Sequence, residues 1–159
     1  MTKVARVLVF VSFLAAPALA AAGPDTLDPA KLKLGSANAL VYDASARQAV
    51  YEKGADDVTP IASVTKLMTA MVVLDANLPM DEPLDVDMGD LDMIKGSSSR
   101  LGMGTELPRR EMLRLALMAS ENRAASALAR HFPGGTPAFV AAMNAKAASL
   151  GMTRTHFDD

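Results

Sequence analysis

The pattern of apolar and polar positions changes character twice along the chain. Residues 39–43 (Ala-Leu-Val-Tyr-Asp) and 48–52 (Gln-Ala-Val-Tyr-Glu) read as two short strands, and the four residues between them suit a hairpin loop. From Ser63 to about Ala76 the chain is apolar almost all round, bounded by Pro60 before and Pro79 after, which predicts a buried helix. Residues 78–101 carry little helical period, and Leu84-Asp85-Val86-Asp87-Met88 alternates, so this stretch reads as loop with one short strand.

Pro108 suits the first position of a second helix whose body is 111–118, and Ala119-Ser120-Glu121 breaks that pattern. From Asn122, apolar residues recur at Ala124, Ala125, Leu128, Ala129 and Phe132, a 3.6-residue period. Pro133-Gly134-Gly135 reads as a turn. Thr136 then caps a last helix, with Pro137 at its first position, a buried face of Phe139, Val140, Met143, Ala147 and Leu150, and Gly151 as its C′ residue.

The first 20 residues stand apart. Lys3 and Arg6 precede a ten-residue apolar run at 7–16, and Ala18-Leu19-Ala20 offers an A-x-A cleavage site, with Ala20-Ala21-Ala22 as a second. This is the pattern of a secretory signal peptide, with cleavage after 20 or 22. It is too short to span a bilayer, which takes about 20 apolar residues. Residues 21–36 form a lead-in, and 37–159 form one domain. The chain has 159 residues, half of them hydrophobic, with 11 Met and few aromatics, a balance that suits helix-rich packing.

There is no Cys, so neither disulfides nor thiol chemistry enter. The net charge is −2, or −4 once Lys3 and Arg6 leave with the leader, and no Lys/Arg run occurs; nucleic-acid binding is not expected. Asp81, Glu82, Asp85, Asp87, Asp90 and Asp92 lack EF-hand spacing and read as a solvated acidic loop. His131 stands where a cation suits a helix end, and neither it nor His156 is expected to be catalytic. Met68, Met71, Met112 and Met143 fall at core spacing. No metal or organic cofactor is implied.

Candidate chemistry begins at Ser63 and Lys66. Three residues apart on a helix, their side chains share a face, with Cβ atoms roughly 5–6 Å apart. Burial disfavours the charged form of an amine, so a buried Lys66 would offer its lone pair as a base to the Ser63 hydroxyl. The plain alternative is a capping Ser followed by a Lys that snorkels to water. Ser120-Glu121-Asn122 sits in the tight connection between two helices. There Ser120 and Asn122 can face one cleft while Glu121 points away, or simply cap the next helix. Ser36-Ala37-Asn38 repeats the S-x-N spacing before a strand and reads as chance.

S-x-x-K at 63–66 followed by S-x-N at 120–122 resembles the penicillin-recognising serine enzymes. Residues 63–70 (Ser-Val-Thr-Lys-Leu-Met-Thr-Ala), 95–101 (Lys-Gly-Ser-Ser-Ser-Arg-Leu) and 117–125 (Leu-Met-Ala-Ser-Glu-Asn-Arg-Ala-Ala) are more specifically similar to the D-alanyl-D-alanine endopeptidases. These are low-molecular-mass penicillin-binding proteins related to the D-Ala-D-Ala carboxypeptidases. The resemblance runs from about Ala37 to Asp159.

It implies an α+β, DD-peptidase/β-lactamase-like fold, here mainly the helical subdomain plus an N-terminal β-hairpin. It also implies a nucleophile at Ser63, a base at Lys66, a proton relay at Ser120 and a substrate-binding amide at Asn122. The implied substrates are peptidoglycan peptides, the implied inhibitors β-lactams, and the implied location the periplasm. The third family motif, K-T-G, does not occur; Lys95-Gly96-Ser97 lies between the other two motifs instead of after them. The resemblance therefore implies the N-terminal part of a longer domain, with the later strands and half the oxyanion hole beyond residue 159. On that view the 159 residues alone would be inactive. The competing readings are a β-lactamase, disfavoured because no E-x-x-x-N follows Asn122, and a non-catalytic wall-binding remnant.

Overall fold

The computed structural model describes residues 32–91 and 99–158, which form two units divided after Asp57. The signal-like leader, the start of the lead-in, Asp92 and Lys95-Gly96-Ser97 lie outside the described residues. The first unit is the expected hairpin. Strand β1 (Ala39–Asp43) pairs antiparallel with β2 (Gln48–Lys53), with an irregularity between Val41 and Tyr42. The Asp43 side chain shapes the loop by accepting from the backbone N–H of Ser45 (2.8 Å) and of Ala46 (3.0 Å). Asn38 of the chance S-x-N closes the hairpin's base by donating to the Gly54 carbonyl at 2.5 Å, a purely local role.

The second unit is helical. Helices α1 (Thr65–Asp75), α2 (Arg109–Met118), α3 (Asn122–Arg130) and α4 (Gly135–Ser149) surround one apolar core. Met68, Val73, Leu84, Met112, Leu128, Phe139 and Met143 fill it, and Leu84, Met112 and Leu128 are wholly shielded from solvent. Burial of such side chains stabilises the fold by about 1.5–3 kcal/mol each. Three of the four core methionines are fully buried; Met71 is half-buried at the core's edge. Phe132 meets Phe139 edge to face, with ring centroids 5.3 Å apart.

Several expectations need correcting. The run from Ser63 is not one helix buried all round. It begins as a 3₁₀ turn over Ala62–Val64, and Leu67 and Leu74 on α1 are more than half exposed. The 78–101 loop does hold one short strand, β3 (Pro83–Asp85), but its partner β4 (Glu106–Pro108) lies where sequence suggested only a helix start. Pro108 ends that strand and stands just before α2, because its backbone is extended (ψ 146) rather than helical. Helix α4 starts at Gly135, one residue before Thr136. Gly134 adopts φ 91, a left-handed turn that glycine accommodates, and a Cβ there would stand 2.7 Å from that of Ala138. Leu150, assigned to the buried face, is half exposed because α4 ends before it. Gly151 does follow the helix with φ 74.

The acidic loop is not simply solvated either. Asp90 is buried and forms a capping box with Asp87 around the 3₁₀ turn Met88–Asp90. The Arg130 guanidinium of α3 reaches Asp90 at 3.0 Å, Asp87 at 3.3 Å and Asp85 at 3.5 Å. His131, the C-cap of α3, places Nε2 2.9 Å from Asp85 and Nδ1 3.0 Å from the Ala127 carbonyl oxygen. Acidic residues that share no sequence motif thus collect on one arginine.

Candidate active site

Ser63 lies in the 3₁₀ turn that leads into α1. Ala62 before it has φ 47, a left-handed conformation, and the Val64 N–H donates to the Ile61 carbonyl at 3.1 Å to close the turn. Lys66 follows in the first turn of α1 with 9% of its surface exposed. The helix points this lysine inward because Met68, Thr69 and Ala70 after it also face the core.

Ser120 lies between α2 and α3 with φ 53, again left-handed. The turn is tight: the Ala119 and Glu121 N–H groups both donate to the Leu115 carbonyl, at 3.0 and 3.2 Å. Asn122 is the first residue of α3. Neither side chain caps that helix. Its N-cap is Glu121, without a side-chain capping bond, so the capping alternative does not hold.

All four side chains singled out in the sequence meet. Lys66 Nζ lies 3.3 Å from Ser63 Oγ, 3.2 Å from Ser120 Oγ and 2.6 Å from Asn122 Oδ1. Ser120 Oγ donates to Ser63 Oγ at 2.6 Å. The lysine does not snorkel to water. An ammonium presents three N–H donors, and these three oxygens match that number. As a neutral amine the same nitrogen would keep two donors and gain one acceptor, enough to take a proton from either hydroxyl. Both serines remain exposed, so the paired hydroxyls are accessible from solvent while the amine beneath them is not.

Sequence reasoning missed one neighbour. Glu121 was expected only to point away from the cleft, but it is buried, with 8% exposed, and its Oε2 accepts the Arg100 N–H at 3.3 Å. The available signal was weak: a carboxylate in an alanine-rich helix connection. His131 and His156 form no hydrogen bond or ion pair with these four side chains; His156 is exposed and faces Asp158 at 3.0 Å. Among the described residues no group of three His, Asp or Glu is arranged to hold a metal ion.

A family model for D-alanyl-D-alanine carboxypeptidase, peptidase family S11, matches residues 25–159. The chain belongs to that family. It is 53% identical over 125 residues to a D-alanyl-D-alanine endopeptidase of Escherichia coli, covering 79% of this chain and 40% of that protein. With the D-alanyl-D-alanine endopeptidase of Pseudomonas aeruginosa it shares 48% over 152 residues, 95% of this chain and 49% of the relative. The chain therefore spans between two fifths and one half of the length of these relatives.

Among solved structures, a mutant of the Streptomyces K15 DD-transpeptidase superposes with a TM-score of 0.72 at 29% identity, covering 81% of this chain and 54% of that one. Penicillin-binding protein D2 of Listeria monocytogenes, solved in its ampicillin-bound form, superposes with a TM-score of 0.62 at 35% identity, covering 76% and 48%. The α+β DD-peptidase fold expected from the two motifs is thus the fold of this S11 member, of which the helices and two small antiparallel sheets are present.

Proposed function

We propose that this chain carries the acylating residues of a periplasmic serine DD-peptidase that cuts D-alanyl bonds in peptidoglycan cross-links. The observation that carries the reading is the convergence of Lys66 Nζ on two hydroxyls that are themselves 2.6 Å apart. Ser63 Oγ would bond to the carbonyl carbon of a D-alanyl residue while its proton passes to the neutral Lys66 amine, directly or through Ser120. The oxyanion that forms would be received by the Ser63 backbone N–H and a second N–H donor. As it collapses, the C–N bond breaks and Ser120 delivers the proton to the leaving amine. Water then attacks the ester, releasing the peptide acid and restoring Ser63. Asn122, fixed against Lys66, is suited to hold the substrate amide as well.

Endopeptidase is preferred over carboxypeptidase because the relatives at 53% and 48% identity are endopeptidases, whereas a carboxypeptidase of Streptomyces stands at 34%. The leader-like residues 1–20 support export. β-Lactams would acylate Ser63 in place of the peptide, a reading supported by the ampicillin-bound relative.

The test is to label the native protein that carries this chain with a fluorescent penicillin, digest it and locate the label. Label on the peptide bearing Ser63, and none on Ser63→Ala, is expected. Label that survives Ser63→Ala defeats the reading.

A further inference from the structure

We propose that Glu121 is a positioning residue. Its buried carboxylate, bonded to the backbone of Arg100, holds Ser120 in the left-handed conformation from which the Ser120 hydroxyl reaches Ser63. The proposal rests on Ser63 being the nucleophile. A serine at φ 53 is uncommon, because its Cβ crowds the following backbone, and it persists only where the surroundings fix it.

Glu121 supplies that fixation from three sides. Its N–H donates to the Leu115 carbonyl at the end of α2, and its carbonyl accepts the Ala125 N–H in the first turn of α3, both at 3.2 Å. Its side chain, 8% exposed, accepts the Arg100 N–H at 3.3 Å. The first two bonds are made by the backbone, whatever the side chain at position 121. The third depends on this side chain and ties the Ser120 turn to a separate segment of chain.

Arg123 completes the hold from the far side of Asn122. Its Nη1 donates to the Leu101 carbonyl at 2.5 Å. The residues on either side of Asn122 thus bind the backbone at two consecutive positions, Arg100 and Leu101. That segment is itself stiffened by Ser99, whose Oγ accepts the Leu101 N–H at 3.1 Å, and Leu101 packs against the core. The Ser120–Asn122 turn therefore cannot rotate without breaking both attachments. Glu121 Oε1, buried and without a hydrogen-bond partner among the described residues, marks a carboxylate kept in place at a cost. A side chain serving only as surface in a helix connection would turn to water.

The experiment measures the rate of penicillin acylation at Ser63, normalised to the number of labelled sites, together with melting temperature. Glu121→Ala is expected to slow acylation about 10–100-fold per labelled site, the loss typical of a misplaced reacting group. Glu121→Gln, whose amide oxygen can still accept the Arg100 N–H, should recover most of the rate, a rescue that loss of negative charge alone would not give. Wild-type acylation in Glu121→Ala, or Glu121→Gln as slow as Glu121→Ala, overturns the proposal. If Glu121→Ala does not fold, Arg123→Ala carries the test: slowed acylation supports the hold and a wild-type rate sinks it. Label persisting in Ser63→Ala would instead defeat the assignment of the nucleophile, and the two failures are distinguishable.

Discussion

Asn122 Oδ1 lies 2.6 Å from Lys66 Nζ, nearer than either serine hydroxyl, although 56 positions separate the two residues. An amide oxygen can only accept, so Asn122 claims one N–H and turns the rest of the amine towards Ser63 and Ser120. Replacing it with Asp puts a negative charge at that contact and favours the ammonium, which cannot act as a base. In Asn122→Asp the rising limb of the acylation-rate profile should therefore move to higher pH, with the rate at neutral pH falling roughly tenfold or more. Stopped-flow acylation across pH tests this, and an unmoved limb would remove Lys66 from the role of base.

Lys66→Ala removes the amine without disturbing the apolar face of α1. Acylation should slow by about 10²–10⁴, the usual contribution of a positioned acid–base group. The melting temperature should change little, since the lost contacts are those to Ser63, Ser120 and Asn122 rather than to the core. Labelling at the wild-type rate would make the lysine a packed bystander.

The left-handed turn at Ser120 separates conformation from chemistry. Ser120→Ala and Ser120→Gly both remove the hydroxyl and should both slow acylation. Glycine tolerates φ 53 and alanine does not, a difference of about 1–2 kcal/mol in favour of Gly. Calorimetry should therefore give Ser120→Gly the higher melting temperature of the two. The reverse order would mean that the turn is not left-handed in solution.

Acid should loosen the helical unit through the Arg130 cluster. Desolvation pushes the Asp85 carboxyl up, but Arg130, a backbone hydrogen bond and His131 outweigh it and hold it below the ordinary value. A depressed carboxylate contributes stability that is complete above its unfolded value, about 4, and is lost as pH falls through the folded one. Thermal melts from pH 6 to pH 2 should show this loss, and Asp85→Asn should flatten it. Arg130 is held above its usual value chiefly by its hydrogen bond to Asp90, so its own titration lies outside that range. Asp90→Ala, which strips a buried partner from Arg130, should cost about 1.5–3 kcal/mol in denaturant unfolding. A loss near zero would show that Asp85 and Asp87 carry the arginine unaided.

Local pattern made a large part of this molecule legible. The hairpin appears where two short strand-like runs flank four loop residues, and all four helices start within two residues of their expected positions. Those features depend on neighbours in sequence: a 3.6-residue period, a Pro near a helix start, a Gly after a helix end. The S-x-x-K spacing placed Ser63 and Lys66 on one face because three residues make nearly one helical turn. The S-x-N spacing marked Ser120 and Asn122, and all four residues belong to one cluster.

What escaped depends on partners distant in the chain. Strand β4 is three residues long, too short to carry a period, and is recognisable only once it pairs with β3, the one short strand expected in 78–101. The acidic run looked solvated because its counter-charge, Arg130, comes 40 positions after Asp90. Glu121 looked idle because its acceptor role is fulfilled by a backbone N–H 21 positions earlier, a group every residue but proline possesses and no sequence advertises. Sequence alone determined which residue types could do chemistry and on which local elements they stand. Tertiary packing alone decided that Lys66 is buried beneath two exposed hydroxyls rather than extended into water, because only the return of α3 against α1 brings Ser120 and Asn122 within reach of its amine.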